Sequence, residues 1–351
     1  MTERVRLADL ARQAGVSTAT VSRVLNGKET VAPATRQAVL TALDLLGYER
    51  PERLRQRPGG LIGLIVPELS NPIFPSFAQN LETTMAARGY TPLLCTQTAG
   101  GITEDAYVQL LLDQRVSGII FLSGLHADSS LPTTRYARLK EMRVPFVTLN
   151  GAHEQIDAPD VSTDHTDAVA QAVRHLISLG HTRIGLALGP ARFTPSQHKE
   201  QGYRQVMTSL LPDSPLNVAN TLYTVEGGQA AAGELLDDGC TGLICGSDVM
   251  ALGAIRQCEG RGLQVPADVS VVGFDDSALM AFSSRTCTRT VSSPPLTTVR
   301  QPVRAMSEAA VSLLLSIIDE APVSQASLKF HAELIVRDST ASHSPPPHPR
   351  S

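Results

Sequence analysis

The sequence lacks most of what would suit a membrane protein, an exported protein or an enzyme. No apolar run approaches the roughly 20 residues that a bilayer requires, so no spanning helix is expected. Met1-Thr2-Glu3-Arg4 leads into no apolar segment of the kind that directs export, and the chain is expected in the cytoplasm. Its five cysteines (Cys95, Cys240, Cys245, Cys258 and Cys287) are an odd number with no C-x-x-C pair. Mostly set within apolar runs, they read as reduced core thiols rather than as a disulfide framework, metal site or redox centre. No G-x-G-x-x-G follows a strand-like run and no G-x-x-x-x-G-K-[ST] occurs, which leaves nucleotide binding without support. A nucleophile elbow and a metal-spaced histidine cluster are missing too, so no catalytic residue, metal or cofactor is assigned.

What is present is a 351-residue chain with 42% apolar and 18% charged residues, enough for two or three packed cores. Its net charge of −4 hides an asymmetry. Residues 1 to 57 carry ten Lys or Arg against six Asp or Glu, a balance of +4, whereas the remainder carries 20 against 28, a balance of −8. A basic head on an acidic body points to a polyanionic partner for the head alone.

The head contains "AGVSTATVSRVLNGKETVAPATRQAVL". Leu7, Leu10, Ala11 and Ala14 recur at helical spacing and predict a short amphipathic helix over 6–13, which Gly15 can end with a left-handed backbone. Ser17 is placed to N-cap a second helix over 18–25. There Val21, Val24 and Leu25 turn inward, while Thr18, Ala19, Ser22 and Arg23 turn outward. A third helix over about 33–46 carries Val39, Leu43 and Leu46 to close the miniature core. Two short helices crossing closely at small residues suit a helix-turn-helix unit, and the outward set supplies an arginine fork for guanine and hydroxyls for phosphate. The competing reading of this segment is a three-helix cap on an enzyme.

The run A-x-x-A-G-V-S-x-x-T-V-S-R-V-L-N, Ala11 to Asn26, closely resembles the N-terminal signature of the LacI/GalR family of bacterial transcription regulators. The resemblance implies base contacts from Thr18, Ala19 and Arg23 and phosphate contacts from Thr20, Ser22 and Asn26, with Ser17 in the same DNA-binding set. It also implies that "ERPERLRQRPGG" (49–60) holds a hinge helix at about 51–57, which folds on operator DNA and wedges Leu54 into the minor groove. The family hinge usually reads Y-x-P-N-x-x-A-x-x-L. Here the proline comes one place later and the stretch before the first strand is shorter, and a basic linker is the alternative.

From Leu61 onward, apolar runs alternate with helical stretches. "LIGLIV", "PLLCT", "GIIFL", "PFVTL", "IGLAL", "GLIC" and "SVVGF" read as buried parallel strands, with helices expected near 77–88, 105–114, 168–179 and 250–262. That order predicts doubly wound α/β sheets with ligands at the carboxyl ends of strands. "NPIFP", "SLGHTRIGL", "SDVMALGAIR", "DVSVVGFDDS" and "PPLTTVRQP" resemble the landmarks of the family's effector domain in the right order. The resemblance therefore spans roughly residues 5 to 340. It implies an α/β chain with a helix-turn-helix domain and hinge over 1–60, then a periplasmic-binding-protein-like effector domain over 61–340. The latter divides into two Rossmann-like subdomains, an N-subdomain of about 61–162 and 297–325 and a C-subdomain of about 163–296 and 326–340, joined by three crossovers.

Polyols are held by carboxylates and amides on their hydroxyls and by aromatic faces on their C–H surface. The candidate effector set follows that division: Asn71, Phe74, Asp164, Phe193, Lys199, Tyr223, Ser247 and Asp275. For each alone a structural role is the alternative, such as helix capping for Asp275 and Asp248 or core packing for Tyr223. Lys199 stands where the K-x-x-G-Y pattern of the family usually has arginine, so a point charge replaces a bidentate fork. "SALMAFSSRTCTRTVSS" (277–293) is about nine residues longer than the family's link and reads as a surface loop or as a lining of the cleft mouth. "ASHSPPPHPRS" (341–351) reads as a disordered tail. A sugar-responsive repressor accounts for every segment, whereas a transport binding protein would need an export signal and no DNA-binding head. "LSGLHADSS", "RLRQR" and "LALGPARF" are similar to actinobacterial maltodextrin-type repressors and make a maltooligosaccharide the first expected effector. Double-stranded operator DNA, the sugar and a second copy of the chain are the expected partners, the assembly being a homodimer or, alternatively, a tetramer.

Overall fold

The computed structural model describes residues 7–26, 31–46, 59–97, 100–151, 153–277, 294–324 and 327–343. The expected hinge helix with Leu54, the long link over 278–293 and Cys287 lie outside the described residues. The chain divides into two compact units, Met1–Gly60 with Ala87–Thr91, and Leu61–Ala86 with Pro92–Ser351.

In the first unit, α1 (Leu7–Ala14), α2 (Thr18–Leu25) and α3 (Pro33–Leu45) follow the sequence expectation to within a residue. Gly15 takes a φ of 64°, and the next amide, Val16, donates back to the Ala11 carbonyl at 3.0 Å, closing the end of α1. Ser17 caps α2, its Oγ accepting from the Thr20 amide at 3.1 Å. Leu10, Val21, Val24, Val39 and Leu43 are wholly buried together, and Leu46 is half-buried at the edge of this core.

The second unit holds two six-stranded sheets. One contains β1 (Leu61–Val66), β2 (Thr91–Thr96), β3 (Gly118–Leu122), β4 (Phe146–Leu149), β5 (Asp160–Thr163) and β11 (Ser327–Phe330), in the order β11-β5-β4-β3-β1-β2. The other contains β6 (Ile184–Leu188), β7 (Asn217–Asn220), β8 (Gly242–Cys245), β9 (Ser270–Asp275), β10 (Thr297–Arg300) and β12 (Glu333–Ile335), in the order β12-β10-β9-β8-β6-β7. The seven apolar runs all form strands. Six of them are buried along nearly their whole length, as strands covered on both faces must be apolar throughout. The expected burial of "PLLCT" does not hold: β2 is an edge strand in which only Cys95 is buried and Leu94 is exposed. β7, β10, β11 and β12 are short and half polar, and an apolar run does not announce them. Helices α4 (Ile73–Ala87), α5 (Glu104–Asp113) and α6 (Thr134–Glu141) belong to the first lobe, and α7 (His165–Ser178), α8 (Thr194–Leu210), α9 (Val225–Asp237) and α10 (Asp248–Gly260) to the second.

Two subdomain boundaries differ from those implied by the resemblance. β10 does not return to the N-subdomain at 297: residues 297–300 pair in parallel with Val272–Asp275 of β9, so the chain passes between lobes only after Arg300. Helix α11 (Val303–Ile318) then packs against β3, β4 and β5. β11 does not open the C-subdomain at 326 either, because it pairs in parallel with β5, and the last passage falls between Phe330 and Glu333. Register decides both cases, since these polar strands complete whichever sheet edge offers free backbone partners.

The four described cysteines are free and buried, and burial pushes each thiol pKa up. The expected disorder from residue 341 is corrected for 341–343: the Ala341 amide donates to Ser270 Oγ at 3.0 Å, the His343 amide to the Leu179 carbonyl at 2.7 Å, and the His343 ring stacks on His181. Residues 344–351 lie outside the described residues.

Tyr203, wholly buried on the inner face of α8, donates to the Ile184 carbonyl at 2.8 Å and accepts from the Asn217 amide at 3.1 Å, joining β6 to β7. Tyr203→Phe leaves both backbone groups without that partner. A loss of about 1–3 kcal/mol is expected, read as a lower thermal unfolding midpoint. An unchanged midpoint would show that the hydroxyl contributes nothing to the joint.

Candidate functional site

The first unit presents a polar helix face. Val21 and Val24 of α2 are buried, whereas Ser17, Thr18, Ala19, Arg23 and Asn26 are exposed and Thr20 and Ser22 are half-exposed. Thr20 Oγ1 lies 2.9 Å from Ser17 Oγ, and Asn26 Nδ2 donates to the Ser22 carbonyl at 2.8 Å. These local bonds hold two of the short polar side chains against the helix while leaving Arg23 extended into solvent.

The second unit holds a partly open cavity of about 210 Å³ beyond the carboxyl ends of strands from both sheets. Seven of the eight expected effector residues line it: Asn71, Phe74, Phe193, Lys199, Tyr223, Ser247 and Asp275. The eighth, Asp164, does not. It N-caps α7, its Oδ1 accepting from the Asp167 amide at 3.1 Å, and it faces a separate groove between α7 and α8. A strand end followed by a carboxylate is as good a helix cap as a ligand, and here the orphan amides at the start of α7 claim it.

Lys199 is the most enclosed charge in the cavity wall, with 4% of its surface exposed. Its Nζ donates to the Gly246 carbonyl at 2.8 Å and sits 3.8 Å from the centre of the Phe274 ring and 5.5 Å from that of Tyr223. The Tyr223 hydroxyl meets Ser196 Oγ at 2.8 Å. Its ring fits only because residue 189 is glycine: a Cβ there would lie 2.0 Å from the ring. Ser247 caps α10 through the Met250 amide at 3.2 Å. Asp248, next in the chain, instead accepts from Thr298 Oγ1 at 2.6 Å and from the Ser277 amide at 3.0 Å.

Asp275 ends β9 with a φ of 120°, a strained backbone for a non-glycine residue. Its Oδ1 accepts from Gln301 Nε2 at 2.7 Å, and Gln301 Oε1 in turn accepts from Asn150 Nδ2 at 3.0 Å and Thr163 Oγ1 at 2.7 Å. Burial first, and the neighbouring Asp248 second, push the Asp275 carboxyl well above the usual range, against the pull of Lys199 and Gln301. Burial likewise raises Asp248. His165, also in the cavity wall, is held well below its ordinary pKa by burial and then by Lys199, so its ring is neutral near pH 7.

Sequence reasoning missed Asn150, His165 and Gln301 in this wall. Asn150 directly follows β4, so the strand-end rule that selected Asp275 would have found it. Gln301 carries no such signal, because the strand it follows is too polar to be recognised.

The raised pKa of Asp275 has a consequence for stability. Between its unfolded value near 4 and its folded value of about 8, the folded state holds the proton more tightly, so stability falls as pH rises through that window. Asp275→Asn removes this contribution. In thermal unfolding without added sugar, its midpoint should decline less between pH 5 and 8 than that of the wild type, and equal declines would contradict the assigned environment.

Comparisons with known proteins divide along the same units. Residues 6–51 match the family described as bacterial regulatory proteins, lacI family, and residues 173–340 match a periplasmic binding protein-like domain. An HTH-type transcriptional regulator from the aml 5′ region of Streptomyces limosus is 57% identical, over 96% of this chain and 94% of that protein. The HTH-type transcriptional regulator MalR of Streptomyces coelicolor is 55% identical, over 96% of this chain and 97% of MalR. Among solved structures, the complex of the regulator CelR with cellobiose aligns with a TM-score of 0.68 at 30% identity, covering 96% of this chain and all (100%) of that one. The lac repressor dimer bound to operator and the anti-inducer ONPF also gives 0.68, at 28% identity, covering 97% of this chain and 100% of that one. These relatives are regulators, not enzymes. Matched over nearly its whole length by such proteins, the chain belongs to the LacI family of bacterial helix-turn-helix transcriptional regulators.

Proposed function

We propose that the protein is a cytoplasmic repressor that binds operator DNA as a homodimer and changes its operator affinity when a short α-glucan, of maltose type, enters the cavity of the second unit. The observation that carries the effector half of this reading is the cavity wall, where a lysine, a carboxyl group and amides stand beside aromatic rings, the combination that suits a neutral polyol. The 55% identity to MalR and the likeness to a cellobiose-bound regulator support the saccharide class. At about 210 Å³ the partly open cavity lies below the ~300–1,000 Å³ of common ligand pockets. That favours the short end of the maltooligosaccharide series. Asn71, Phe74, Phe193, Lys199, Tyr223, Ser247 and Asp275 are the contacts in this reading, joined by His165. Neutral imidazole offers one donor and one acceptor, as a hydroxyl group needs.

A thermal-shift series with glucose, maltose, maltotriose and maltoheptaose tests this. A ligand at 100 times its Kd stabilises by about 2.7 kcal/mol, so maltose should raise the midpoint clearly and Asp275→Asn should need about tenfold more sugar for the same shift. If none of the four moves the midpoint while an unrelated metabolite does, the effector assignment fails.

For DNA, α2 is the recognition helix, with Arg23 reading a guanine edge, Thr18 and Ala19 supplying methyl and hydroxyl contacts, and Ser17, Thr20, Ser22 and Asn26 on phosphates. The exposed polar face over the buried Val21 and Val24 is what supports this. A dimer then reads two half-sites about one helical turn apart. Arg23→Ala should abolish discrimination for the operator in a gel-shift titration and leave non-specific affinity, which depends on the other basic residues, much less affected. Equal operator affinity in variant and wild type would remove the assignment.

A further inference from the structure

Two sequence tracts meet at the mouth of the cleft. The turn after β3 brings Asp128 and Ser129 from the first lobe, and the second lobe brings Arg192 and Phe193 from the loop before α8 and Gln197 from the first turn of that helix. Asp128 and Phe193 pair as an isolated antiparallel bridge. Arg192 Nε donates to Asp128 Oδ2 at 2.7 Å, and the Ser129 amide and hydroxyl both donate to the Arg192 carbonyl, at 2.9 and 2.7 Å. Gln197 Nε2 reaches Ser129 Oγ at 3.1 Å. Asp128 is buried and held in place by its own neighbour, its Oδ1 accepting from the Ser130 amide and hydroxyl.

The arm that carries Asp128 is itself fixed. Glu104, buried on α5, accepts from the Leu125 amide at 3.0 Å and from the Tyr136 hydroxyl at 2.7 Å, which anchors the turn at 125–127 to the first lobe. Ala127 and Phe193, immediately beside the bonded residues, line the cavity. None of the cross-cleft bonds runs through a ligand position: the two lobes grip each other directly.

We propose that Asp128, Ser129, Arg192 and Gln197 form a latch that holds the two lobes of the second unit together across the cleft. The proposal rests on the reading of the cavity as the effector site, but not on the effector's identity. The cleft then exchanges its ligand with the latch open, and ligands that project past Ala127 and Phe193 are disfavoured because they hold it open.

The latch has a direct reporter. The Ser129 amide is a backbone donor across the cleft in an otherwise exposed residue, so its hydrogen exchange measures how often the latch opens. In the full-length, sugar-free protein, residue-resolved exchange should show this amide strongly protected. Arg192→Ala and Asp128→Asn should each speed its exchange about fivefold or more, with Arg192→Lys between them and the wild type. The buried amide of Val173 in α7 should be unaffected in all of them, which shows that the fold is intact. A Ser129 amide that exchanges at the rate of an unstructured peptide in the wild type, or at the wild-type rate in both variants, overturns the latch. Because no sugar is present, failure of the α-glucan assignment leaves this result unchanged.

Discussion

Gln301 holds four chain segments at one point: it donates to Asp275 at the end of β9 and accepts from Asn150, just after β4, and from Thr163 at the end of β5. The side-chain amide suits this place because it offers donors and an acceptor from one planar group. Buried polar groups must be satisfied, so the strand ends of both sheets are fixed relative to each other through a single side chain at a crossover. The cavity lies directly against this joint. Its wall can therefore be polar and still rigid, whereas the same groups left unpaired would each cost about 1–3 kcal/mol.

The cavity stores unfavourable terms that folding elsewhere must offset. Asp275 combines a strained backbone with a buried carboxyl, and Asp248 lies close enough to raise it further. His165 has both ring nitrogens buried without a protein partner. Such groups are costly in a core and useful in a binding site, since a ligand that pairs with them recovers the lost hydrogen bonds. The latch at the mouth adds a second requirement, because the bonds between Asp128, Ser129 and Arg192 compete with an open cleft. An effector then acts on an element with two arrangements rather than on a static pocket.

The helix-turn-helix unit makes a simpler physical case. Its core is seven small and medium side chains from Leu10 to Leu43, too few for much stability, so capping carries weight. Ser17 at the start of α2 and the left-handed Gly15 before it fix the angle between α1 and α2. The outward residues then follow from helical periodicity alone.

For that reason the sequence alone determined the second helix of the unit: Val21 and Val24 inward, Thr18, Ala19 and Arg23 outward, with Gly15 closing α1 and Ser17 opening α2. It also determined six buried strands, because a parallel strand covered on both faces must be apolar along its length, and it located the edge strand β2 by its apolar run though not its exposure. Most of the cavity set was legible by the same route, as residues placed just beyond those strands. Tertiary structure decided the rest. Asp164 and Asp275 look alike in sequence, each a carboxylate at a strand end, yet the first is claimed by the amides of α7 and the second by Gln301. β10 and β11 exchange lobes relative to the expected boundaries because short polar strands join whichever sheet edge can pair their backbones. The meeting of Asp128 with Arg192 lies 64 residues apart in the chain, and no periodicity or local motif reports a contact at that distance, because it exists only once two separately folded lobes face each other.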